Sequence, residues 1–150
     1  MQLSENISLK ELTYSKTAED LGIKNLPGTV ELQNLTALAR NVLQPVRDYF
    51  GKPVIINSGY RCLEVNRAVD SKDNSQHVKG EAADFFVKDV PLKDVFLFIN
   101  ERLSFDQLIY EFGRWIHVSY RTLKNRKERL IAKKRDGKTV YLTYTSINQL

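Results

Sequence analysis

Only two histidines occur in the 150 residues, and each lies beside a segment that reads as a strand. His77 stands in SQHVKGEAAD and is delivered by Gly80, which permits a sharp turn, into the strand candidate EAADFFV. Strand alternation puts Ala82, Asp84 and Phe86 on one face and Ala83, Phe85 and Val87 on the other. Asp84 is thus a carboxylate among apolar neighbours, which is costly to bury unless it is paired, hydrogen-bonded or bound to a metal. In WIHVSY the same alternation sets Trp115, His117 and Ser119 opposite Ile116, Val118 and Tyr120, so His117 faces away from the core side. A lone histidine is ordinarily a hydrogen-bonded surface or core residue. Two imidazoles and one carboxylate on converging strands are instead the ligand set of a catalytic zinc site, in which three protein ligands leave the fourth position open. A structural zinc would want four ligands with thiolates among them, and the chain has only Cys62. Neither histidine begins an HExxH helix.

The elements that must position these residues are short. Leu9 to Leu12 and Thr17 to Gly22 read as helical turns capped by Ser8 and by Ser15 or Thr17. From Val30 to Phe50, apolar residues recur at spacings of three and four, the pattern of one amphipathic helix, with Pro45 expected to kink it or mark its last turns. Pro53 to Asn57 suits a strand, Leu63 to Val69 a short helix, and Pro91 to Arg102 a helix with Val95, Phe96, Phe98 and Ile99 inward. FDQLIYEF and WIHVSY read as two strands joined tightly at Gly113, and RLIAKK and KTVYLTY as a hairpin turned by Asp136 and Gly137. Helices and hairpins without regular alternation predict an α+β domain over residues 1–150, a small, mostly antiparallel sheet with helices packed on one side.

SQHVKGEAAD fits at each defined position the SxHxxGxAxD signature of the D-Ala-D-Ala carboxypeptidase family of zinc peptidases, and WIHVSY resembles that family's second histidine segment. LKELTYSKTAEDLGI, LQPVRDYFGKPVIINSGYR and FDQLIYEF resemble its phage and bacterial branch, so the resemblance runs from about Leu9 to Tyr120. It implies a Hedgehog/D-Ala-D-Ala peptidase-like fold and one zinc ion held by His77, Asp84 and His117. It also implies a substrate-facing Arg61, suited to an oxyanion or a substrate carboxylate. Many relatives carry a glutamate three residues before the second metal histidine; here that position is Arg114, and the nearest carboxylate is Glu111. Glu111 is expected as the general base, with Asp106 and Glu81 behind it. Ser75, Gln107 and Trp115 are expected to line the pocket or support the ligands.

The function the resemblance implies is hydrolysis of amide bonds in peptidoglycan stem peptides, as a D,D-carboxypeptidase or an endolysin-like endopeptidase. The alternative is a non-catalytic, zinc-containing module of the same fold that binds cell wall or a protein. A single cysteine excludes an internal disulfide, and no apolar run is long enough to cross a membrane. The first thirty residues lack a signal peptide's basic start and apolar stretch, so synthesis in the cytoplasm and action on the wall after lysis or non-classical release is expected. The net charge of +5 is concentrated: nine basic residues lie between Arg121 and Lys138 against Glu128 and Asp136, and the rest of the chain is net acidic. That segment reads as the solvated basic face of a closing hairpin, about residues 121–145, or as a site for an anionic polymer. It lacks the ordered aromatics of a nucleic-acid binder, and the protein is expected to act as a monomer. A cysteine peptidase built on Cys62 would leave Asp84 unexplained.

Overall fold

The structure, a computed structural model, describes residues 1–150. Its helices α1 (Leu9–Thr13) and α2 (Lys16–Leu21) are each set by a serine cap: Ser8 forms a capping box with Glu11, and the Ser15 hydroxyl accepts from the Ala18 amide. The long amphipathic run forms α3 (Thr29–Leu38), a π-helical turn (Ala39–Leu43) and α4 (Gln44–Phe50) in one continuous rod. Pro45 acts through the turn ahead of it. A proline in the first turn of α4 has no amide hydrogen to return to the preceding turn, and the Gln44 amide reaches back five residues to the Ala39 carbonyl. The widened turn leaves Gln44 nearly buried, where its side chain bonds Ser4, Asn6 and Asp48 and ties the N-terminal segment to the rod.

Six strands form one sheet in the order β1-β2-β4-β3-β5-β6, with β1 Val54–Ser58, β2 Ala82–Val87, β3 Gln107–Glu111, β4 Trp115–Ser119, β5 Glu128–Arg135 and β6 Lys138–Thr143. All pairings are antiparallel except β3 with β5. The fold class is therefore α+β, as expected, but the C-terminal hairpin is more than a closing flap. It extends the sheet from the β3 edge, turning at Asp136 and Gly137 with left-handed backbone at both (φ 51° and 76°). Helix α5 (Leu63–Ala68) follows β1, and α6 (Leu92–Arg102) follows β2.

The core lies between one sheet face and the helices. Leu35, Leu38, Val42 and Val46 of the rod and Val95, Phe96 and Ile99 of α6 meet Phe85, Leu108, Ile116, Val118 and Ile131. No helix is long and apolar enough to cross a membrane. Because that face is filled, the alternate residues of each strand are available on the other, and the register arranges them in rows. One row runs Asp84, His117, Ile109, Leu130, Thr143, and the next runs Trp115, Glu111, Ala132, Tyr141.

Candidate metal centre

His77, Asp84 and His117 converge, although they come from a loop, β2 and β4. One donor atom from each lies within 4.8 Å of the other two. The Asp84 carboxylate stands between the rings, with Oδ1 2.9 Å from His117 Nδ1 and Oδ2 3.4 Å from His77 Nε2. A tetrahedral zinc site, with bonds of about 2.0–2.2 Å, needs ligand separations of roughly 3.5 Å. The Asp84–His77 separation is already in that range, whereas Asp84 and His117 stand at hydrogen-bond distance. The Asp84–His117 pair follows from register, since the two are direct partners across β2 and β4.

His77 is oriented by backbone. Its Nδ1 lies 2.7 Å from the Gly59 carbonyl, which can only accept, so Nδ1 carries a proton and Nε2 is turned toward Asp84. Gly59 follows the irregularity that shifts β1 between Ile56 and Ser58, beside Asp84. A Cβ at Gly59 would collide with the Leu12 carbonyl, so the close approach that aims this carbonyl requires glycine. Gly80, at φ +72° and tight against the Glu31 backbone, closes the turn after His77. Arg61 is set by Asn25, whose side chain donates to the Thr13 and Tyr60 carbonyls and accepts from the Cys62 amide. Neither Gly59 nor Asn25 was singled out from sequence; only their position against a distant segment gives them a role.

The three residues open onto a cavity of about 350 Å³. Arg61, Ser75, Gln107 and Glu111 line it with them, and so do Ile109, Leu130 and Tyr141. Burial would raise the Asp84 carboxyl, but the two imidazoles outweigh it and hold the group well below the usual carboxylate range. Glu111 behaves oppositely: burial, aided by the Asp84 charge and opposed by His117, pushes it up to about 7. Burial also lowers Arg61, against the pull of Asp84, and the Arg61 Nε is buried without a partner. An unspent guanidinium donor and an anionic ligand set at one opening suit a cation and an oxygen-rich ligand together.

The other expected residues lie elsewhere. Trp115, expected to line this pocket, lines a separate cavity of about 750 Å³ with Tyr110, Phe112 and Ile131. The tight turn before β4 stacks its ring edge-on to Phe112, centroids 5.5 Å apart, instead of over the ligands. Asp106 is fully buried and held by Arg126, whose guanidinium approaches to 2.8 Å, and by Gln76 at 3.0 Å. Glu81 bonds Gln76 at the edge of the same network. The chain's residues 5–119 match the family model described as Peptidase M15. No curated protein matches the chain.

Proposed function

Because the chain belongs to the peptidase M15 family, the D-Ala-D-Ala carboxypeptidase-like zinc peptidases, we propose that it is a zinc metallopeptidase cleaving amide bonds of peptidoglycan stem peptides, as a D,D-carboxypeptidase or an endopeptidase. The observation that carries the reading is one cavity uniting a His–Asp–His donor set with a desolvated carboxyl and a partly buried guanidinium. His77, Asp84 and His117 would hold one zinc ion, which when bound supplies Lewis-acid polarisation of a carbonyl and makes water more acidic. Glu111 is the base: it takes a proton from the attacking water and returns it to the departing amine. Burial, which pushes this carboxyl up to about 7 in the metal-free site, makes it a stronger base than an exposed glutamate. Arg61 binds the oxyanion or a substrate carboxylate, and Ser75 and Gln107 contact the peptide. An endolysin-like role, in which the enzyme meets the wall on lysis, is part of this reading.

Chelation should abolish cleavage of muropeptides, and added zinc should restore it in the parent but not in His77→Ala. Cleavage that survives both treatments would sink the reading. Arg114, which occupies the position where many relatives carry the base, favours one second reading: a zinc-containing binder of cell wall or protein. That reading requires wall binding with no turnover of any wall fragment.

A further inference from the structure

We propose that Tyr141, on the C-terminal hairpin beyond the residues that match the family, is a substrate-contacting residue of the metal cavity, donating its phenol hydrogen to an oxygen of the bound peptide. The proposal deepens the peptidase reading and rests on it.

The register delivers Tyr141 to this position. Glu111 is the partner of Ala132 across the parallel β3–β5 pair, and Ala132 is the partner of Tyr141 across β5–β6. The row Glu111, Ala132, Tyr141 therefore lies on the face that bears Asp84 and His117, with adjacent strands about 4.8 Å apart. Ala132 carries only a methyl group. That methyl is itself covered, yet the residues on either side of it, Glu111 and Tyr141, both line the cavity. In the neighbouring row Ile109 and Leu130 continue from His117 as an apolar floor.

The sheet order sets the two donors apart. Arg61 follows β1 at one edge of the sheet and Tyr141 sits on β6 at the other, with the ligand set between them. A peptide over the metal centre is therefore held by a guanidinium on one flank and a phenol on the other, its side chain resting on Leu130. Tyr141 is 54% exposed, so its ring is open to an incoming ligand. Burial, then the nearby Glu111 and Asp84 charges, raise the phenol above its ordinary value, which keeps it a donor. At about 350 Å³ the cavity is at the small end of ligand sites, so an aromatic ring on one wall takes part in selecting what enters.

The test compares the full-length, zinc-loaded parent with Tyr141→Phe and Tyr141→Ala on a synthetic stem peptide ending in D-Ala-D-Ala and on soluble cross-linked muropeptides. Steady-state kinetics are paired with calorimetric binding in a Glu111→Gln background. Loss of one hydrogen bond should raise KM and the dissociation constant about tenfold in Tyr141→Phe, with kcat within about threefold and zinc content and Tm unchanged. Tyr141→Ala should lose more. Cleavage by the parent with both variants within twofold of it in KM and in binding overturns the proposal and leaves the peptidase reading standing. Binding without cleavage, weakened in Tyr141→Phe, does the reverse. A parent that neither binds nor cleaves either probe overturns both.

Discussion

Glu111 sits in conflict with its surroundings, and that conflict is measurable. Its folded value of about 7 lies above the 4.5 of the free side chain, so the native state prefers the protonated form. In the metal-free protein the ionised carboxylate therefore costs nothing below about pH 4.5, a growing amount between there and pH 7, and its full cost above. Glu111→Gln should make the metal-free protein more stable than the parent at pH 8, by on the order of 2 kcal/mol, and leave it unchanged at pH 4. It should also abolish turnover. Urea unfolding at the two pH values checks the first outcome, and equal stability at pH 8 would show that Glu111 is well solvated. At this scale the sequence was readable where chemistry and alternation agreed: Asp84 on an otherwise apolar strand and His117 on the side of its strand away from the core. Trp115 shares that alternation, but a side chain at the mouth of a tight turn can leave its strand's face, and alternation does not foresee this.

Among the elements, the segment from β1 to α5 deserves the most weight, because its backbone aims His77. Gly59→Ala must displace the chain from the Leu12 carbonyl and move the acceptor that fixes the His77 ring. Its expected effect is a loss of zinc affinity of about 10–100-fold. Competition with a chromophoric chelator measures this, and unaltered affinity would mean that the ring is held by something else. The Asp106–Arg126 pair similarly anchors the chain as it enters β5. Strand positions and helix phases could be predicted because they depend on neighbours in sequence. The π-helical turn before Pro45 shows that proline was correctly read as a disturbance, while its form depended on what Gln44 met in space. The parallel β3–β5 pairing had no local signature, since the identity of a strand's partner is a long-range property, and with it went the contribution of Leu130 and Tyr141 to the cavity.

For the whole molecule, the chain divides into a part that carries the candidate metal ligands, Arg61 and Glu111 and a part that finishes the cavity wall. The β3–β5 junction joins them, and it has a consequence for colloidal behaviour. Without the hairpin, β3 would present an unpaired row of amides and carbonyls along Gln107–Glu111, a template for another chain's strand. The hairpin caps that template and moves the open margin outward to β6, beside a run that includes Lys133, Lys134, Arg135 and Lys138. Like charges there discourage a second copy from adding a strand. A chain ending after Tyr120 should accordingly self-associate as its concentration rises while the full chain stays dispersed, which light scattering would reveal. The cationic run then acts as a gatekeeper against edge-to-edge polymerisation, whatever else it meets.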